Sequence, residues 1–400
     1  MEPHRSTLNL RQARLSDEPQ VRRFLEIFYT ARFRTKYPNR WQWQFVNNPF
    51  VPRHTLPVWL ALDGENVVGQ LSLQYSPIWI KGRTQLGAWG VDFGVLPSYR
   101  GQGLGFRLQA LVAQSVPWLL SAVMDRSAVR IKERLGFIKG PKVQHFRRFC
   151  HLSGADILRY LFFKTRSRAR AWRVGIRVFG QQLGGVSALA AMLRTANSRY
   201  AALKARPHAA NSLQIEEFDT FGSEFDKLWE ESRAAYGMTT ARTAEYLNWR
   251  YVECPDLQYR KFRASDGSGV TGFLVLRERN LPELKSVRIV DLFCRPPALS
   301  TMENLLQRVV ANYVNTYPFI EAACSHPSGV AALRKLGFLP MEEHTPLAGG
   351  TLSGEDDVAI AITGWTVTMG DQDWDQFRPV DDEESGFTHP SRPSRLSQHS

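Results

Sequence analysis

Residues 89–112 constrain the fold more than any other stretch. Trp89 to Leu96 reads as an apolar strand, and Pro97-Ser98-Tyr99 as a turn. Arg100-Gly101-Gln102-Gly103-Leu104-Gly105 follows as a glycine loop, and it runs into a helix with Leu104, Leu108, Leu111 and Val112 on one face. That spacing (i, i+4, i+7, i+8) marks a buried helical stripe. The glycines leave the loop's amides uncovered by side chains, and Arg100 adds a fixed positive charge. Amides at a helix start, helped by the macrodipole, favour a bound anion. The stretch is expected to hold a phosphate or pyrophosphate; a ligand-free glycine turn is the plainer alternative.

Three ligand classes use such loops. A P-loop needs Gly-x-x-x-x-Gly-Lys-[Ser/Thr], and no Lys-Ser or Lys-Thr follows these glycines. A dinucleotide loop needs Gly-x-Gly-x-x-Gly, but Phe106 and Leu108 stand where the third glycine belongs in the two registers. The third pattern is Arg-x-x-Gly-x-Gly after a strand ending Val-x-Pro, and Val95, Pro97, Arg100, Gly103 and Gly105 fit it. In this the stretch resembles the coenzyme A signature of the GNAT acetyltransferase superfamily. Leu135-Gly136-Phe137, closing a short helix from Ser127, matches the Leu-Gly-Phe of that family, and the resemblance covers about residues 8–148. Within it Leu8 to Ala13 reads as a strand. Ser16-Asp17-Glu18-Pro19 opens a helix burying Val21, Leu25 and Phe28, and Trp59–Leu62 with Val67–Leu73 reads as a hairpin turning near Asp63-Gly64.

The chain also repeats itself. Trp43 and Pro49 recur as Trp249 and Pro255; Asp63-Gly64 and Gly69 recur as Asp266-Gly267 and Gly272. Val91-Asp92 and Pro97 recur as Val290-Asp291 and Pro296, and Leu135-Gly136-Phe137 as Leu336-Gly337-Phe338. Offsets of 199 to 206 in one order indicate a duplicated unit. Phe221, Phe225, Leu228 and Trp229 repeat the stripe of the first helix. Where the first copy has its glycine loop, the second has Leu299-Ser300-Thr301-Met302-Glu303-Asn304, with no glycine, no arginine and a repelling carboxylate. Only the N-terminal copy is expected to bind coenzyme A. The expected fold is therefore two tandem α/β (α+β) units of the GNAT kind, each a mixed, mostly antiparallel twisted sheet flanked by helices. The expected divisions are a coenzyme-binding domain over 1–150, a basic helical connector over 151–210, a degenerate copy over 211–370 and a flexible tail over 371–400.

A hydrophobic content of 43% gives both copies full cores. Cys150, Cys254, Cys294 and Cys324 show neither CxxC nor Cys/His spacing, which argues against zinc and disulfides and for a reducing compartment. No metal is expected. The N-terminus lacks an apolar signal core and no run reaches the roughly 18 apolar residues of a spanning helix, so a cytoplasmic placement is expected. Of the net charge of +13, residues 151–206 supply +10: eleven Lys or Arg against Asp156. This connector is expected to be a solvated linker or to dock peripherally on an anionic membrane face, at about 1 kcal/mol per basic residue. Nucleic acid ranks third as its partner.

The resemblance implies acyl transfer from acetyl-coenzyme A, used as cosubstrate, to a small-molecule amine. In that family the backbone of the strand, here Phe93, Gly94 and Val95, takes the pantetheine arm by β-augmentation and polarises the thioester carbonyl. Arg100, Gly101, Gln102, Gly103, Leu104 and Gly105 are expected to hold the pyrophosphate. A protonated amine must lose a proton before attack. Asp92 is the nearest carboxylate and the candidate base, although Asp291 repeats it in the copy without the loop, which favours a hydrogen-bonded strand residue. Asp125 stands where the family often has Asn, and is a candidate base or a helix cap. Lys132 stands where the family often has a Tyr that protonates the leaving thiolate, and is the candidate acid. Trp43 is repeated and expected in the core; Trp41 is not, and is the candidate acceptor wall, suited to an amino sugar. Two other readings remain: a tandem transferase moving an amino acid from aminoacyl-tRNA to a cell-wall precursor, and a non-catalytic coenzyme A-binding protein.

Overall fold

A computed structural model of the 400-residue chain describes residues 8–122, 126–150, 213–280, 285–296, 298–351 and 362–373. The connector over 151–210 and the tail from 374 onward lie outside these residues. The chain forms two compact units interleaved in sequence. One takes residues 1–74, 90–112 and 376–400; the other takes 75–89 and 113–375.

In the first unit β1 (Asn9–Gln12) pairs antiparallel with β2 (Val58–Asp63). β2 pairs antiparallel with the first part of β3 (Asn66–Ile80) across the predicted Asp63-Gly64 turn, where Gly64 has φ 60°. The end of β4 (Arg83–Val95) is tied to β3 by a 2.9 Å bond from the Leu96 amide to the Val68 carbonyl. The acidic, proline-containing start of α1 (Glu18–Tyr29) is followed by a stripe that buries Val21, Phe24, Leu25 and Tyr29. α2 (Asn39–Trp41) runs into a π-helical turn, Gln42–Val46, that buries Trp43, Gln44 and Phe45. Ala61, Val68, Val95 and Leu104, the first residue of α3 (Leu104–Ala113), share one apolar cluster. Burying Val95 and Leu104 together pins both ends of the glycine loop.

In the second unit the first part of β4 pairs parallel with β5 (Trp118–Ser121) over Gly87–Trp89 only. α4 (Arg126–Arg134) follows and stops at Gly136, whose φ of 78° fits the predicted C′ glycine. Next come β6 (Ile138–Lys139) and β7 (Val143–Phe149). The copy that follows comprises β8 (Gln214–Phe218), α5 (Ser223–Ser232), β9 (Met238–Thr240) and α6 (Ala244–Tyr251). It continues through β10 (Arg260–Asp266), β11 (Gly269–Asn280), β12 (Lys285–Cys294) and α7 (Leu299–Tyr313). β13 (Phe319–Cys324), α8 (Pro327–Lys335), β14 (Leu339–His344) and β15 (Leu347–Gly349) complete it. Its sheet runs β14-β7-β13-β12-β11-β10-β8, antiparallel except for β12–β13. One face is sealed by α7 and α8 through Leu305, Leu306, Val309 and Leu333 against Phe262, Leu274, Leu276 and Ile320.

The series β10-β11-β12-α7-β13-α8 repeats β2-β3-β4-α3-β5-α4, as the duplicated sequence predicts. Two strands cross over. β7, which ends the first repeat, hydrogen-bonds to β13 and β14. β15, from the second repeat, pairs with β5 and β6. All four cysteines are free and buried.

Candidate functional site

The loop begins where β4 leaves β3. Pro97–Tyr99 forms one 3₁₀ turn, and Tyr99 donates to Asp63 Oδ2 at 2.6 Å, which fixes the turn to the β2–β3 hairpin. Arg100 is extended, and its Nε donates to the Val95 carbonyl at 3.0 Å while the residue as a whole stays exposed. Gly101 and Gly103 have φ of 79° and 73°, a conformation that a side chain would strain. A Cβ at either would meet nothing within 4 Å, so the requirement there is conformational and the space beside the loop is open. Gln102 caps the Ser98 carbonyl at 3.3 Å. The Arg107 amide reaches the Gly103 carbonyl at 3.1 Å as α3 starts, so the amides before it have no i−4 carbonyl within the helix. Exposed Gly101, Gln102 and Gly103, the exposed Arg100 and the N-terminus of a ten-residue helix lie together, a set of donors suited to a diphosphate. The sequence-predicted residues Phe93, Gly94, Val95 and Arg100 to Gly105 are therefore contiguous on one strand–loop–helix.

Asp92 has another role than the one sought for it. Its side chain is 5% exposed, receives Lys36 Nζ at 2.6 Å (itself 4% exposed) and accepts from Tyr29 Oη at 3.0 Å. Burial alone would raise its pKa; the Lys36 and Arg40 charges, with the two hydrogen bonds, outweigh burial and hold it below the usual carboxylate range. Asp92 also sits at φ 50°, inside a strand. A carboxylate so paired is a poor proton acceptor, and this corrects the expectation of a base. The second copy repeats the arrangement. Asp291 accepts from Tyr251 Oη at 3.0 Å, Thr368 Oγ1 at 3.0 Å and Arg242 at 3.2 Å, and Val290 beside it is bulged out of the β11–β12 ladder. In both copies the carboxylate anchors an irregular point of the central strand.

Lys132, on α4 in the second unit, is 3% exposed, and its Nζ lies 4.5 Å from the centre of the Phe137 ring. Among the described residues it has no hydrogen bond or ion pair. Burial pulls its pKa down to about 7. A lysine so placed exchanges its proton near neutrality, as an acid for a thiolate requires. Asp125 lies outside the described residues. Trp41 corrects a second expectation: it is 1% exposed and packs edge-on to Phe45 at 5.1 Å, so it is core and offers no wall to an acceptor. Trp43 and Trp249 are buried as expected.

The second copy closes the equivalent position with its own chain. β12 and β13 pair only over Val287–Ile289 and Ile320–Ala322. Beyond that, Thr368 bridges Cys324, the Ser325 amide donates to the Val367 carbonyl at 3.0 Å, and Arg242 pairs with Asp371 at 2.8 Å. Glu303, at the position of the lost loop, pairs with Lys335 at 2.6 Å. Nothing in the sequence pattern announced that 365–371 would take this edge. Among the described residues no cluster of three His, Cys, Asp or Glu converges as a metal site. No described helix is long and apolar enough to cross a membrane.

Comparison with known proteins agrees with this geometry. The profile of the acetyltransferase (GNAT) family matches residues 19–137. No curated protein matches the chain in sequence. Among solved structures, a GCN5-related N-acetyltransferase from Anabaena variabilis is similar at a TM-score of 0.55 and 12% identity, over 87% of this chain and 74% of that one. A probable N-acyltransferase from Enterococcus faecalis is similar at 0.54 and 10% identity, over 86% and 72%. The N-myristoyltransferase of Saccharomyces cerevisiae, solved with bound myristoyl-CoA, is similar at 0.52 and 10% identity, over 86% and 83%.

Proposed function

Starting from the membership of residues 19–137 in the acetyltransferase (GNAT) family, we propose that this chain moves an acetyl group from acetyl-coenzyme A to the nitrogen of a small amine. The observation that carries the reading is the loop from Arg100 to Gly105, with two glycines at positive φ and residues 100–103 exposed just before α3. The loop holds the pyrophosphate, and the backbone of Phe93 to Val95 takes the pantetheine arm and polarises the thioester carbonyl. The neutral amine attacks that carbonyl, a C–N bond forms, the C–S bond breaks, and the proton that the amine nitrogen sheds passes through solvent water to the leaving thiolate. The ion-paired Asp92 takes no part in the proton transfer. Positioning and carbonyl polarisation then carry much of the rate. The retained loop also favours this reading over aminoacyl transfer, which needs no diphosphate cradle.

A thermal-shift comparison tests the reading. Acetyl-coenzyme A is expected to raise the melting temperature of the wild type by several degrees and that of Gly103→Glu not at all. Equal shifts in the two proteins would refute the site.

A further inference from the structure

One side chain stands over the strand that this reading gives to the thioester. A Cβ built on Gly94 would lie 2.4 Å from Phe28 Cζ and 2.7 Å from both Phe28 Cε atoms, so the ring presses end-on against the bare α-carbon. Phe28 is half-buried on α1. It cannot swing aside, because Phe24 stacks on it at 5.4 Å and Tyr29 meets it edge-on at 5.1 Å. Phe24 is itself core, and Tyr29 is held through its hydroxyl by Asp92. The face of β4 at Gly94 is thus closed by a rigid apolar plate. An acyl chain that extends from the amides of Phe93 to Val95 onto that face meets the ring.

Resting on the coenzyme reading above, we propose that Phe28 is the residue that sets acyl length, restricting the donor to short acyl-coenzyme A thioesters. Gly94 is the complement of that plate, since any side chain there would displace it. Phe28 is a specificity-determining wall and takes no proton.

Binding of free coenzyme A, acetyl-coenzyme A and hexanoyl-coenzyme A, measured by calorimetry, needs no knowledge of the acceptor. The wild type is expected to bind the hexanoyl thioester at least tenfold more weakly than the acetyl thioester. In Phe28→Ala that ratio is expected to fall at least tenfold. Phe28→Leu, which keeps an apolar residue under α1, is expected to fall between the two and stands in if the alanine variant does not fold. An unchanged ratio in both variants, or a wild type indifferent to chain length, overturns the wall while leaving the coenzyme site intact. A wild type that binds no free coenzyme A removes the coenzyme reading and the wall together.

Discussion

Lys132 buries an ammonium-forming side chain against the Phe137 ring, and that has a thermodynamic signature. The unfolded chain keeps this proton up to about pH 10.5, whereas the folded chain releases it near 7. Between those values the unfolded state binds more protons, so stability climbs with pH across that window. Urea unfolding at pH 7 and pH 9 is expected to show the wild type more stable at the higher pH, and Lys132→Met to lose that slope. Asp92 gives the opposite kind of test. Removing its charge takes the carboxylate away from buried Lys36, so Asp92→Asn is expected to cost about 3 kcal/mol by chemical denaturation. A plain catalytic base on an open strand would lose activity with little change in stability. The glycines of the loop were legible because positive φ and bare amides demand that residue type. The anchoring of Asp92 was not, because Tyr29 and Lys36 stand 63 and 56 positions before it in sequence.

Helices are the elements that declared themselves, since the stripes of α1 and α3 fix both the period and the buried face. Strands declared their existence but not their neighbours. The alternation in β7 marks a strand, yet only the structure shows it lying between β13 and β14. There its Arg147 Nε donates to Glu321 Oε1 at 3.1 Å, and Ser286 and Arg288 reach the other oxygen at 3.3 and 3.4 Å. Burial would raise the Glu321 pKa, but Arg288, Arg147 and Arg279 pull it down to about 2. Its stabilising contribution is therefore complete above the ordinary Glu range and disappears as pH falls toward 2. Glu321→Gln leaves buried Arg279 facing the partly buried Arg147 and Arg288 with no carboxylate charge among the three, and a loss of about 3 kcal/mol at pH 7 is expected in a denaturant titration. The segment 362–373 was equally unreadable. Among the described residues its strand-like pairing is confined to isolated bridges at Trp365 and Thr368.

At the scale of the whole chain the duplication was plain from the offsets near 200, and so was the loss of the loop in one copy. What the repeat concealed is that the copies trade strands. A fragment ending at residue 150 would carry β7 without β13 and β14, and β5 and β6 without β15 between them. Such a fragment has unpaired ladders in its interior. It is expected to lack a cooperative thermal transition and to associate, as circular dichroism and light scattering would report. An autonomous fragment that melts cooperatively and binds acetyl-coenzyme A would show that the exchange is dispensable.

The edge of β13 is zipped to residues 367 and 368 of the same polypeptide. A berth already taken by the molecule's own thread has no vacancy for a visiting cofactor arm. Substitutions across Leu299–Asn304 therefore forfeit nothing there. On the proposed reading, the corresponding six positions of the N-terminal half remain hostage to a guest.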